Sequence, residues 1–553
     1  MQIRRIFHSQ TRTVHHAAGI LIISALLSRV LGMARDWLLA KNLGAGSDLD
    51  IYFAVFRIPD FLYHVIISGG IVVAFLPIFS DFFSKDKEEA WKFASNALNI
   101  FLLFLIVFSL VLFIFAPVMV KLITPGFTSA QLDQTILLTR IMLLSPIFFG
   151  ISSIFSGILQ YFHRFLVYSF APILYNFGII LGIVFLFPSF GVRGIIYGVL
   201  FGAFMHFMIQ LPAAISCGFK YKPIFNLGGK GIKQVLLLMI PRTLGVAGSQ
   251  INLMVMTSIA STLAVGSISI FNLAQNLQNI PIGVIGVSFA VAVFAPLSRS
   301  FTDGAKKEFL KDFSSTFRQV VYIIFPSSFL IFILRNQIVG IILRHGEFSH
   351  ASAQLASASL GLFCLGIWAI SLSPLLSRAF FAFKDTRTTA TVVFFTVTLN
   401  IVLSFYFIGI LNPEGFLYNT LRGIFRLEGI GDLRVLGLPL AFAISGIFQF
   451  VLLMFFLYKK IGDFHLRDIW NSTHKILSAS LIGSAAVYLS SYLISLFFGK
   501  ESLLAVYLEA IIGSLAGIGV YFFVTNFLKS PEAKAIKSRV LSRLIRSKTV
   551  WRE

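Results

Sequence analysis

The chain has 553 residues, of which 57% are hydrophobic, 15% aromatic and only 12% charged, with a formal net charge of +22 and a mean hydropathy of +0.88. Soluble domains carry roughly 25% charged residues, so the polar surface is too small to cover a soluble fold of this size, and soluble enzymes, secreted disulfide scaffolds and disordered chains are excluded. The apolar runs reach the roughly 20 residues that a membrane-spanning α-helix needs and lack the short alternating strands of a membrane barrel, so the expected class is an all-α polytopic membrane protein.

The basic start MQIRRIFHSQTRTVHH leads into an apolar stretch with no clear small-residue cleavage site, and reads as a retained first helix. Fourteen spans are predicted, at 17–40, 52–80, 94–119, 133–161, 167–188, 193–216, 234–261, 267–297, 317–342, 353–382, 388–411, 435–458, 474–497 and 502–528. The first carries Arg29, Arg35 and Asp36. Asp50 stands just before the second, which carries Arg57, Pro59, Gly69, Gly70 and Pro77. Arg140, Arg335 and Arg378 lie towards the ends of the fourth, ninth and tenth, where long basic side chains snorkel to the interface. Arg242 opens the seventh, followed by Gln250 and Asn252; the eighth holds Asn272, Gln275, Asn276, Gln278 and Asn279 with Pro281, Gly283, Gly286 and Pro296. The Pro and Gly residues favour bent helices. The long loop at 411–434 has Glu414, Glu428 and Asp432 but no enzymatic motif.

Placing both termini in the cytoplasm puts 30 Lys and Arg on that side, 8 outside and 7 within spans. That bias is the one expected for cytoplasmic loops, and it accounts for much of the net charge without nucleic acid. The basic tail, 529–553, reads as a contact to anionic lipid headgroups. Cys217 and Cys364 form no CxxC or Cys/His cluster, so no metal, redox or disulfide chemistry is expected. There is no P-loop. No cofactor is expected, and energy would come from an ion gradient, the membrane potential or the substrate gradient. The histidines are scattered without an HExxH, so the chain reads as a transporter rather than an enzyme.

An internal repeat supports this. The stretch from Phe53, FAVFRIPDFLYHVIISGGIVVAFLPIFSDFF, shares its early Pro, central glycines and late Pro with FNLAQNLQNIPIGVIGVSFAVAVFAPLSRSF from Phe271. SGILQYFHRF from Ser156 pairs with SRAFFAFKDT from Ser377, and GVRGIIYGVLFGAF from Gly191 with LGLPLAFAISGIFQF from Leu436. The organisation expected is an N-lobe at 1–218 (helices 1–6), a C-lobe at 219–460 (helices 7–12), two extra helices at 461–528 and the tail at 529–553. Two pseudo-symmetric lobes with a substrate site between them form a transporter architecture.

An arginine at a helix centre costs about 2.5–3.5 kcal/mol on insertion scales, so it usually faces a cavity or a partner. Arg29, Arg35 and Arg57 outnumber the nearby acids Asp36 and Asp50. One reading is internal: Arg35 or Arg57 pairs with Asp36 or Asp50 and locks the first two helices together. The other is an anionic substrate, for which the planar guanidinium fork suits phosphate. Arg29 and Arg35 are six residues apart, about 120° in projection, so both can border one wide cavity.

The first two helices, SRVLGMARDWLLAKNLGAGSDLDIYFAVFRIPDFL from Ser28 to Leu62 and AFLPIF from Ala74, closely resemble the opening signature of the MurJ/MviN family. PRTLGVAGSQINLM from Pro241 and FNLAQNLQNIPIGVIGVS from Phe271 are also similar to it. Those proteins are lipid II flippases of the MOP exporter superfamily in the bacterial cytoplasmic membrane. The resemblance implies alternating-access movement of a lipid-linked peptidoglycan precursor, an undecaprenyl-pyrophosphate disaccharide-peptide, from the inner to the outer leaflet, with membrane lipids and cell-wall synthesis proteins as further partners. It implies that Arg29, Arg35 and Arg57 grip the pyrophosphate, that Asp36 and Asp50 organise them, and that the last two helices form a groove for the lipid tail. The sequence departs from many relatives at Tyr63, His64 and Ser68, where these have a basic pair and an acid, and at Gln275 and Asn276, where these have Asp-Arg. Arg242, with Asn276, would supply the second-lobe contacts. Some relatives have a sodium site with Asn and Asp in the eleventh helix; here Asn400 is followed by Ser404. The alternatives are a flippase for another undecaprenyl-pyrophosphate-linked glycan, a drug/cation antiporter, which predicts intramembrane acids, and a membrane enzyme acting on isoprenyl phosphates, which predicts a catalytic constellation in an outside loop.

Overall fold

The computed structural model describes residues 14–499 and 502–534; the start at 1–13 and the tail from 535 onward lie outside the described residues. Helix occupies every predicted stretch: α1 Val14–Leu43, α2 at 47–85, α3 Lys87–Ile123, α4 Ser129–Tyr161, α5 Phe165–Phe190 and α6 Val192–Ser216. There follow α7 Lys230–Ser261, α8 Ser267–Thr302, α9 Lys306–Ile333, α10 His350–Ala382, α11 Thr386–Ile410, α12 Arg434–Ile461, α13 Leu466–Phe498 and α14 Leu503–Phe527. Among the described residues, eleven of these helices, α3 to α6 and α8 to α14, are long and apolar enough to cross a membrane. Two short helices, Arg335–Ile342 and Phe416–Phe425, add to them; the second lies in the stretch read from sequence as a loop.

Local chemistry sets the helix starts. The Asp86 carboxylate accepts the Glu88 N–H at 2.7 Å to open α3, and Thr128 and Gln131 form a reciprocal capping box at α4. Asp385 accepts the Thr388 N–H at 3.1 Å at α11. Two of the stretches paired in sequence share a backbone feature. Both α2 and α8 pass from α-helix into a π-helical segment, Tyr63–Ile71 and Ile282–Val287, shortly after Pro59 and Pro281, and return to α-helix carrying Pro77 and Pro296. Runs of π-helix are rare and concentrate at functional sites.

The chain forms two compact units, Met1–Ser269 with His345–Ser349, and Ile270–Arg344 with His350–Glu553. The repeat places its boundary between 218 and 219, but packing places it at 269, because α7 lies along the π-helical segment of α2 and against α3. In the first unit α1 packs on α5, and α5 on α6. That last pair is held close by glycines: a Cβ on Gly178 would stand 2.3 Å from the Gly202 Cα, and one on Gly198 2.5 Å from the Gly182 Cα. Small residues are what allow membrane helices such an approach. The core of this unit stacks Phe75 on Phe79 and Phe93, with Trp91 and Tyr161 against Phe79. In the second unit α10 and α11 pack on α12, α9 on α10, and α13 on both α9 and α14. Leucines, valines and phenylalanines along α3, such as Leu110 and Phe115, are exposed, an inversion of soluble proteins that suits a helix facing lipid.

Candidate substrate-binding site

Ser24, Ser28 and Arg35 are four and seven residues apart on α1, which sets them on one helix face. That face meets α5. The Ser169 hydroxyl donates to Ser24 Oγ at 2.9 Å, Asn176 Nδ2 to Ser28 Oγ at 3.4 Å, and Arg35 Nη1 to Asn176 Oδ1 at 3.3 Å. The Arg35 guanidinium also donates twice to Asp36 Oδ1, at 2.8 Å from Nη2 and 3.0 Å from Nε. Arg35 therefore pairs with its own neighbour on α1 and with α5. The expected lock between the first two helices is not made by this pair. Arg29 points to another side of α1. It is half-buried, and no hydrogen bond or ion pair to it is found among the described residues.

On α2, Arg57, Asp60 and His64 follow at spacings of three and four, again along one face. Arg57 is buried, and its Nε–H donates to Thr257 Oγ1 on α7 at 2.7 Å. Asp60 interacts electrostatically with His64, Arg57 and Arg35. Sequence reasoning weighed Asp36 and Asp50 and missed Asp60, although its place three residues after Arg57 within the same span was a usable signal. Tyr52 and Tyr175 lie in the field of the same charges, and Tyr63 meets the edge of Phe149. The cluster of the first unit thus holds Arg35 and Arg57 with Asp36 and Asp60 among tyrosines. Arg29 adds a positive charge on the same helix as Arg35.

Asp50 is elsewhere. Its buried carboxylate accepts the Gly266 N–H at 2.7 Å, the Ser269 N–H at 2.8 Å and the Ser269 hydroxyl at 2.6 Å. It caps the start of α8, where a negative charge meets the positive end of the helix dipole. Among the described residues it pairs with no arginine, and at this end backbones are in close contact. A Cβ on Gly266 would lie 2.3 Å from the Ala45 carbonyl oxygen, one on Gly126 2.1 Å from that of Ser261. The Glu347 N–H reaches the Lys41 carbonyl at 3.0 Å.

Arg242 sits in the helical backbone of α7; its side chain and that of Ser68 lie outside the described residues. In the second unit Asn276 is half-buried on α8, beside buried Asn272 and Gln275. Gln278 is fully buried, with neither amide atom hydrogen-bonded among the described residues. On α11 the Ser404 hydroxyl turns back to the Asn400 carbonyl at 2.7 Å. Among the described residues no group of three or more His, Cys, Asp or Glu is placed to hold a metal ion. The remaining arginines within spans stack on phenylalanine: Arg140 on Phe113 at 4.9 Å, Arg378 on Phe294 at 5.0 Å, and Arg335 on both Phe332 and Phe425.

Comparison with known proteins agrees with this architecture. A family profile described as "Lipid II flippase MurJ" matches residues 39–508. The "Probable lipid II flippase MurJ" of Buchnera aphidicola subsp. Schizaphis graminum is 28% identical over 92% of this chain and 95% of its own length; that of Rhizobium tropici is 26% identical over 93% and 94%. A solved structure titled "Lipid II flippase MurJ, inward closed conformation" superposes with a TM-score of 0.74 at 25% identity, covering 92% of this chain and 98% of that one. An inward-facing multidrug resistance MATE family transporter of the MOP superfamily follows at 0.65 and 13% identity, over 80% and 98%, a likeness of fold alone.

Proposed function

The chain belongs to the lipid II flippase MurJ family, a family of multi-pass transporters of the bacterial cytoplasmic membrane and not of enzymes, and from that membership we propose that it flips lipid II from the inner to the outer leaflet by alternating access. In this reading all fourteen helices span the membrane and both termini are cytoplasmic. Arg29, Arg35 and Arg57, with Arg242 and Asn276, bind the pyrophosphate and its sugar.

The observation that carries the reading is the charged cluster of α1 and α2. Arg35 is anchored on Asp36 and Asn176, and Arg57 Nε on Thr257. An arginine has five N–H donors, so such anchoring can orient a fork towards a phosphate. Asp36 orients Arg35 directly, and Asp60 balances the cluster while no phosphate is bound. Asp50 acts on the shape of the site by holding the start of α8. The π-helical segments of α2 and α8 supply the bends on which gating would turn.

The extra helices have a role in the same scheme. An apolar cleft of about 350 Å³ between α9, α13 and α14, lined by Pro326, Leu330, Val487, Gly517 and Ile518, takes part of the prenyl tail. Transport draws on the membrane potential or an ion gradient.

Complementation tests the proposal. A bacterial host depleted of its own lipid II flippase is supplied with this chain, and lipid II in the outer leaflet is assayed. Restored growth with outward lipid II is expected. Transport of a different undecaprenyl-linked glycan by inserted protein that leaves lipid II inside overturns the substrate assignment.

A further inference from the structure

The second unit contains a cavity of about 640 Å³ bordered by the short helices Arg335–Ile342 and Phe416–Phe425, the start of α10, and the facing ends of α13 and α14. Its volume falls in the range of small-molecule sites, roughly 300–1,000 Å³. Among the described residues, three arginines, Arg335, Arg344 and Arg426, and His350 line it against a single carboxylate, Glu509. Glu509 is buried and accepts from Gln337 Nε2, so it is engaged with an amide, and among the described residues it forms no ion pair with an arginine. The Arg335 and Arg426 charges lie close enough to repel one another. Like charges brought together without a counter-charge favour an anion between them.

The arginines are also arranged to stay. The Arg335 guanidinium lies 4.9 Å from the Phe332 ring centre and 5.0 Å from that of Phe425, and Nη1 donates to the Phe332 carbonyl at 2.6 Å. Its plane is fixed while most of its donors remain available. Arg426 occupies the left-handed cap that ends its helix, at φ 53°, where glycine is the usual residue. Two buried polar atoms of the lining, Gln337 Oε1 and Ser491 Oγ, have no hydrogen-bond partner among the described residues. Such atoms are costly unless something else satisfies them. The serine can donate to a phosphate oxygen, and the amide oxygen can accept from a hydroxyl beside it.

We propose that this cavity is a binding site for a phosphate ester group that carries a neighbouring hydroxyl, as a glycerol-type lipid headgroup does. The cavity adjoins the apolar cleft already described: Val487 lines one and Tyr488 the other, on the same helix α13. An amphiphile can therefore seat its phosphate among the arginines and its chain in the cleft. The site is built from the second unit alone and does not rest on lipid II being the transported substrate.

The test uses full-length protein in nanodiscs of phosphatidylcholine, titrated with phosphatidylglycerol and, separately, with inorganic phosphate. Retained lipid is read by native mass spectrometry and binding by the shift in melting temperature. Arg344 and Arg426 make no side-chain hydrogen bond or ion pair among the described residues, so Arg344→Gln with Arg426→Gln is expected to fold normally and to retain phosphatidylglycerol at least about tenfold more weakly. Arg426→Lys keeps the charge and most of the binding. Glu509→Gln removes the one carboxylate and tightens binding. Competition by inorganic phosphate identifies the phosphate itself as the recognised group, free ion included; phosphatidylglycerol binding that phosphate does not displace identifies the intact headgroup. Equal retention of phosphatidylglycerol by the wild type and the double arginine variant, with no shift on adding phosphate, overturns the proposal.

Discussion

Arg57 on α2 donates its Nε–H to the Thr257 hydroxyl oxygen on α7 at 2.7 Å, across 200 residues of sequence. The Thr257 hydroxyl in turn donates to the Leu253 carbonyl at 2.9 Å. A buried arginine is thus held by a helix that the expected repeat assigns to the other half of the chain. A hydrogen bond to a charged group contributes about 1.5–3 kcal/mol. Thr257→Val keeps the side-chain shape and removes the acceptor, so the melting temperature and lipid II transport should fall together. Thr257→Ser should restore both.

Arg29 and Arg35 should separate stability from transport. Arg35 is hydrogen-bonded to Asp36 and Asn176, so Arg35→Ala strips partners from two polar groups and lowers the melting temperature as well as transport. Arg29 has no such partners among the described residues. Arg29→Ala should leave melting unchanged and reduce transport. Normal transport by both inserted variants would remove these residues from the pyrophosphate site.

Asp50→Asn tests a carboxylate that works through the fold. Asn keeps one acceptor oxygen but turns an NH₂ group towards a donor, so one of the Gly266 and Ser269 hydrogen bonds is lost. A cost of about 1–3 kcal/mol is expected for the unsatisfied group. Transport per folded molecule should change little. Abolished transport at an unchanged melting temperature would instead place Asp50 in direct contact with the substrate.

Asp385, just before α11, shows a pH dependence of definite sign. Partial burial raises its pKa, but hydrogen bonds from Lys460 and Thr388 outweigh that and hold it below the usual carboxylate range. A depressed folded pKa means that the stabilisation is complete above the unfolded value, about 3.9, and is lost as the pH falls through the lower folded value. Wild-type melting should drop in that acid window. Asp385→Asn, which still caps the helix, should show a shallower drop there.

The helices were legible because apolar length is a local signal, and Arg35 with Asp36 because the pair is adjacent in sequence where a charge is not cheap. Asp60 was legible in principle, as an acid three residues after Arg57, but reasoning from flanking acids passed over it. The short helix Phe416–Phe425 was hidden by its length: its apolar residues share one face, yet it is far too short to span. The partners of Asp50 and Arg57 had no sequence signal at all. Gly266, Ser269 and Thr257 are ordinary residues whose role comes only from being brought alongside by packing. The same holds for α7, whose repeat membership says one half and whose contacts say the other.

The carboxylate of Asp50 also sets an order of events during synthesis. Its donors Gly266 and Ser269 are 216 and 219 residues further along the chain. At about 5–20 residues per second, α2 waits roughly 10–40 s for them. The Lys41 carbonyl waits longer still, for the N–H of Glu347. This end of the first unit is therefore assembled late, after its earliest helices have been made and while they still lack their last partners.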